Sequence, residues 1–221
     1  MLDRYADDER ITMVAGFNVD EVTEGVPYDY FFTSAFSIWG WASWRRVVSQ
    51  WDEKYGFLDD AFSMKQLDAL IRQRGYRSSF IKMCRDHRDS GEPQFESIFW
   101  ATMLFNSGLA VMPTKNMINN VGASEDSTHY SAFRTMPARQ KRLFTMARHE
   151  VEFPLRHPRY VIEEVGYWKR VYDANAWDRP WMKVSRSLEE LWLNVRYGNW
   201  SFIGRSILRR LRILTGQEKF G

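Results

Sequence analysis

Phe95-Glu96-Ser97-Ile98-Phe99-Trp100-Ala101-Thr102-Met103-Leu104-Phe105-Asn106-Ser107-Gly108-Leu109-Ala110-Val111-Met112-Pro113 carries the fold assignment. Phe95, Ile98, Phe99, Thr102 and Met103 fall on one helical stripe over 95–107, and Gly108 closes it. Leu109-Ala110-Val111-Met112 then reads as a short buried strand ended by Pro113. A helix handing directly to a buried strand is an α/β habit. Upstream, the polar turn Asp7-Asp8-Glu9 leads into Ile11-Thr12-Met13-Val14-Ala15, a second apolar strand. It stops at Gly16-Phe17-Asn18, a natural place for a ligand-facing loop.

The remaining elements follow from spacing. Leu2 to Ala6 reads as the end of a helix. Ile38 to Trp51 reads as another, with Trp41, Trp44, Val48 and Trp51 at steps of three, four and three. A further helix over 63–74 uses Leu67, Leu70 and Ile71 and is stopped by Gly75. From Pro137 onward the pattern is helical and polar, interrupted at Pro154, Pro158 and Pro180. The expected organisation is an α/β region over 1–135 and an appended helical region over 136–221.

Composition narrows the class. Among 221 residues, 44% are hydrophobic, 16% aromatic and 27% charged, which excludes disordered, collagen-like and coiled-coil chains. The single cysteine, Cys84, closes no intrachain disulfide, and Cys84 with His87 lacks the second ligand pair of a zinc site. No apolar run reaches the ~18 residues that cross a bilayer, and Met1 is followed by a polar segment rather than a signal peptide's apolar one. A cytoplasmic protein is the expectation.

The formal charge of +3 is uneven. Residues 196–221 hold Arg196, Arg205, Arg209, Arg210, Arg212 and Lys219 against Glu218, so this tail carries +5 and the rest −2. Such a body offers no broad basic face, and nucleic acid is not an expected partner. In the tail, Ile203, Ile207, Leu211 and Leu214 share one helical seam, with Arg205, Arg209 and Arg212 on another. A basic amphipathic helix over 203–214 suits either the anionic inner face of the cell membrane or packing on the body with its arginines solvated.

The densest signal is Ser37-Ile38-Trp39-Gly40-Trp41-Ala42-Ser43-Trp44-Arg45-Arg46. Three indoles in six residues provide flat faces on which sugars stack, Gly40 allows close backbone approach, and Arg45 and Arg46 can pair with phosphate. The structural alternative makes Trp41 and Trp44 core side chains of a helix. Glu96 opens the helix over 95–107, where a carboxylate suits the helix dipole and, above a cleft, serves as a general base. His129 lies in a polar loop and is either a metal ligand or a structural histidine.

Taken in order, Asp7 to Asn18, Ile38 to Arg46, Phe95 to Trp100, Leu109 to Gly122, Asp126 to His129 and Glu152 to Pro158 resemble the bacterial nucleotide-diphospho-sugar transferase family of GT-A fold. That family includes haemolytic-protein-like glycosyltransferases. The resemblance spans roughly 2–165, and Trp39-Gly40-Trp41-Ala42-Ser43-Trp44-Arg45-Arg46 is its most specific element.

The resemblance implies a C-terminal portion of a GT-A, Rossmann-like domain. It implies transfer of a sugar from a nucleotide-diphosphate donor to a cell-surface glycan or lipid-linked acceptor, at the inner face of the cell membrane. By position, Trp39, Gly40, Trp41, Trp44 and Arg45 would contact substrate, Glu96 would be the catalytic carboxylate, and His129 would lie near the donor diphosphate or its divalent metal, Mn or Mg. The nucleotide-binding βαβ region and acidic metal motif of a complete GT-A domain would precede Met1. Two expectations follow: a silent, carbohydrate-binding homologue as the alternative to an enzyme, and an unpaired edge on the strand at 11–15 that promotes self-association.

Overall fold

The computed structural model describes residues 1–71, 73–92, 94–121, 133–175 and 180–204. These form two compact units, Met1–Asn119 with Met146–Asp178, and Asn120–Thr145 with Arg179–Gly221.

The first unit is α/β. Its strands are β1 (Ile11–Ala15), β2 (Tyr30–Thr33), β3 (Trp41–Ala42) and β4 (Leu109–Pro113), in the order β2-β4-β1-β3. β1 and β4 run parallel at the centre, and β2 and β3 are antiparallel to their neighbours. Helices α1 (Arg45–Val48), α2 (Ala61–Leu70), α3 (Arg74–Ser90) and α4 (Phe95–Phe105) fill the connection from β3 to β4, and α6 (Val165–Asn175) returns to the same unit. The second unit contains α5 (Ala138–Thr145) and α7 (Pro180–Arg196).

Both faces of the sheet are buried. Phe31, Ala110, Met112, Met13 and Ala15 pack on Phe99 and Met103 of α4 and on Tyr167 and Val171 of α6. Tyr30, Phe32 and Val111 face the other way, with Tyr5 and Ile11. Ile11 and Met13 are two residues apart yet lie on opposite faces. A bulge between them, where Ile11 pairs with Leu109 and Met13 with Ala110, reverses the alternation. Gly108 permits the close approach of these strands, because a Cβ there would stand 2.5 Å from Thr12 Cγ2.

The strands at 11–15 and 109–113 and the helix starting at Phe95 match the sequence reading; four other expectations do not. Residues 2–7 form turns rather than a helix, with the Tyr5 hydroxyl hydrogen-bonded to that of Tyr30 at 2.7 Å. The expected helix over 38–51 shrinks to α1, because Trp41 and Ala42 are drawn into β3 opposite Ala15 and Val14. The helix expected over 63–74 starts two residues earlier, capped by the Asp60 carboxylate accepting from the Phe62 and Ser63 amides. It ends at Leu70, and Gly75 lies inside α3, whose own stop is Gly91 at φ +72°.

The fourth correction concerns the edge. The strand at 11–15 was expected to lack a neighbour, but β1 has β4 on one side and β3 on the other. Where two-residue β3 gives out, side chains continue its work: Ser43 Oγ donates to Thr12 O at 2.6 Å and Arg46 donates to Ile11 O at 2.7 Å.

Candidate functional site

The parallel pair β1 and β4 ends at Ala15 and Pro113, and in open α/β sheets the loops beyond those carboxyl ends carry ligand sites. Two buried asparagines tie these loops together. Asn18 donates to Thr23 Oγ1, Pro113 O and Thr114 O, and its own amide donates to Asn116 Oδ1 at 3.1 Å. Asn116 Nδ2 in turn donates to Ile118 O at 2.8 Å and Ala147 O at 3.1 Å. Gly16-Phe17-Asn18 therefore turns its polar side chain inward, and Phe17 becomes the residue on which Trp39 leans.

Trp39 meets the Phe17 ring edge-on at 4.7 Å between centroids. The Gly16 amide donates to Gly40 O at 2.8 Å, which ties the loop after β1 to the tryptophan motif. Trp41 lies on β3, and its indole stacks on Phe95 at 6.1 Å with an interplanar angle of 29° and tilts against Phe99 at 5.1 Å. Phe95 is the first residue of α4 and is exposed; Glu96 follows it, half-buried in the first turn. Glu96 makes no ion pair or side-chain hydrogen bond with the described residues. Indole 39 thus leans on the loop after β1, and indole 41 reaches the first residue of α4, the one before Glu96.

A buried hydrogen-bond relay holds that turn of α4. The Tyr55 hydroxyl bonds Ser97 Oγ at 2.7 Å, His87 Nδ1 bonds the same oxygen at 2.7 Å, and Ser97 Oγ donates to Gln94 O at 3.1 Å. Ser97 is fully buried, so the His87–Ser97 contact positions the helix and presents no nucleophile. Nearby, Cys84 is buried and its thiol pushed up to about 12 by that burial, which makes it inert near neutrality.

The other expected contacts part company with this group. Trp44 caps α1 and turns toward the N-terminal turns, its Nε1 donating to Leu2 O at 3.3 Å with the Arg46 guanidinium 4.6 Å over its ring. Arg46 donates to Tyr5 O, Ala6 O, Asp8 O and Ile11 O, which makes it a clasp for the β1 edge rather than a phosphate donor. Arg45 is exposed at the start of α1. Gly40 has φ +55°, and a Cβ there would stand 2.2 Å from Ile118 Cδ1, so its smallness answers to Ile118 and to the backbone.

Comparison with family models, curated proteins and solved structures finds no match. His129 lies outside the described residues. Among the described residues no three His, Cys, Asp or Glu side chains gather as a set able to hold a metal ion. The divalent cation that the resemblance implies would take ligands that include residues outside the described ones.

Two cavities of about 650 and 670 Å³ occur among the described residues, one around Thr114, Lys115 and Phe153 and one around Ser34, Met103 and Trp168. Neither is lined by Trp39, Gly40, Trp41 or Glu96. Phe17, Phe95 and Ile118 were absent from the expected site. Phe95 carried a usable signal, an aromatic directly before an acid at a helix start, whereas the contacts of Phe17 and Ile118 depend on loops that only the folded sheet brings together.

Proposed function

We propose that this chain presents the acceptor-facing wall of a sugar-transfer site of GT-A type. The observation that carries the reading is the stack of Trp41 on Phe95, which brings an aromatic platform beside the residue that precedes Glu96. Half-exposed aromatic rings bind the apolar faces of sugar rings and leave the hydroxyls to polar groups at their rim. In this reading Glu96, in the first turn of a helix that the relay of Ser97 with His87 and Tyr55 fixes, supplies that polar group.

In the transfer, an acceptor hydroxyl oxygen attacks the anomeric carbon of a nucleotide-diphosphate sugar. Glu96 takes the hydroxyl proton, and the bond to the diphosphate breaks with its electron pair leaving on the diphosphate. Trp39 and Trp41 hold the acceptor ring so that one hydroxyl faces the carboxylate. A divalent cation for the diphosphate would need ligands beyond the described residues, among which His129 lies.

A second reading has its own support: a carbohydrate-binding homologue without turnover. Arg46, the cation nearest the indoles in the motif, is engaged with four backbone carbonyls rather than available to a diphosphate. Release of nucleoside diphosphate from a panel of nucleotide sugars, with Mn or Mg and oligosaccharide acceptors, separates the two. The transferase reading expects release that falls roughly 10²- to 10⁴-fold in Glu96→Gln while sugar binding persists. Saccharide binding with no release in either protein supports the binding module, and no saccharide binding overturns both.

A further inference from the structure

Helix α7 is built inside out. At 100° per residue, Trp181, Val184, Leu188, Leu191, Trp192 and Val195 fall within one arc about 100° wide. All six are exposed, Trp181 at 82% and Trp192 at 55%. The opposite side carries Arg186, Glu190, Leu193 and Asn194, and this is the side that is covered: Leu193 is 9% and Asn194 1% exposed. Polar contacts accompany Leu193 there. Glu189 Oε1 accepts from the Ala138 amide at 2.9 Å, and Asn194 accepts from Asn199 Nδ2 at 2.8 Å. An amphipathic helix in a globular unit normally turns its apolar arc to the core, so this arc has another surface to cover.

Aromatic type and charge identify that surface. The arc carries indoles at both ends, Trp181 and Trp192, and a third exposed indole, Trp200, follows within two turns. Tryptophan, with an apolar body and one polar N–H, is the side chain suited to the boundary between headgroups and acyl chains. Arg196 sits with its guanidinium 5.1 Å over the Trp192 ring, at the border of the arc. Residues 180–212 hold seven Lys and Arg against Glu189 and Glu190. α7 itself holds Lys183, Arg186 and Arg196 against Glu189 and Glu190, the other four arginines following it in sequence, and a net positive segment of this kind is attracted to an anionic lipid surface. No described helix is long and apolar enough to cross a membrane, so the contact lies in the plane of the surface.

We infer that the outward arc of α7 docks on an anionic phospholipid bilayer, at the depth of the headgroups. This site is separate from the indole wall and stands whether or not the chain handles sugars. It goes beyond the 203–214 segment considered from sequence, of which only Ile203 and Gly204 lie among the described residues.

The test is sedimentation of the full chain with vesicles of phosphatidylglycerol and phosphatidylcholine, and with phosphatidylcholine alone. Two variants accompany it: Trp181→Ser/Leu188→Ser/Trp192→Ser, and Leu188→Asp, which keeps every indole. Because these positions are exposed, circular dichroism should be unchanged in both. The expected result is partitioning onto anionic vesicles that weakens with salt, drops roughly ten-fold or more in the triple variant, and is accompanied by a blue shift of tryptophan emission that Leu188→Asp abolishes. Wild-type protein left in the supernatant, or equal sedimentation of wild type and triple variant, overturns the proposal. So does a wild-type dimer in light scattering that the triple variant converts to monomer, since a second copy would then be the occupant.

Discussion

Ile118 occupies the space that a side chain at Gly40 would need. The Cδ1 of Ile118 lies 2.2 Å from where a Cβ at position 40 would stand, and Gly40 itself has φ +55°. Gly40→Ala should therefore cost about 2 to 4 kcal/mol, overpacking plus left-handed strain. Gly25 is the control: φ is +80° but nothing lies within 4 Å of its Cβ position, so Gly25→Ala should cost only about 1 to 2 kcal/mol of backbone strain. Urea unfolding measures both, and Ile118→Ala in the Gly40→Ala background should recover the overpacking part.

Arg46 and Arg45 are adjacent in sequence and should differ sharply. Arg46→Met removes a donor from Tyr5 O, Ala6 O, Asp8 O and Ile11 O, of which Tyr5 O and Asp8 O keep a backbone amide, and should destabilise by about 2 to 3 kcal/mol. Exposed Arg45→Met should stay within about 0.5 kcal/mol. Thermal unfolding of the two variants checks the contrast. Equal melting temperatures would remove Arg46 from the role of clasp for the β1 edge.

Asn116 joins the loop after β1 to the loop after β4. Asn116→Ala orphans the buried Asn18 amide and takes a donor from the carbonyls of half-buried Ile118 and exposed Ala147, a loss of about 1 to 3 kcal/mol. Amide hydrogen exchange should accelerate in both loops, not in the segment after β4 alone, because one side chain serves both.

Alkaline pH should weaken the fold through Cys84. Burial lifts its thiol from an ordinary 9.0 to about 12, so between those values the unfolded chain gives up the proton and the folded chain keeps it. Stability contributed by the neutral thiol is fully present below pH 9 and falls as pH rises toward 12, with a slope approaching about 1.4 kcal/mol per pH unit. Buried Tyr76, also pushed up by desolvation, acts in the same direction at higher pH. Cys84→Ala should flatten the lower part of that decline, and native Cys84 should resist iodoacetamide at pH 8.

The α/β class was legible where local pattern and tertiary role agree. Residues 95–113 show this: α4 keeps its apolar stripe on Phe99 and Met103, and β4 is short, apolar and buried, as its residues dictate. The tryptophan motif misleads because its three-and-four spacing suits a helix, while the open side of β1 takes Trp41 and Ala42 as a strand. Pairing across the sheet outweighs a local preference of a few tenths of a kcal/mol per residue. Gly75 misleads for the opposite reason: a glycine in the first turn of a helix costs little when Tyr76, Phe80 and Cys84 bury one face of that helix.

Trp39 leans on Phe17 in the loop after β1 and Trp41 on Phe95, the residue before Glu96, whereas Trp44 and Gly40 have structural partners that no spacing rule reveals. The Trp44 partner is Leu2 O, forty-two residues away, and the Gly40 partner is Ile118, seventy-eight residues away. The inverted face of α7 was likewise unreadable, since an amphipathic period shows that a helix has an apolar arc without showing which way the arc points.

Indole N–H resonances of uniformly ¹⁵N-labelled protein, followed during titration with short oligosaccharides, test the sugar-wall reading most directly. Saturable shifts confined to Trp39 and Trp41, lost in Trp41→Ala and retained in Glu96→Gln, are the result predicted. Resonances that stay in place across the panel, or that move only for Trp181 and Trp192, would contradict it.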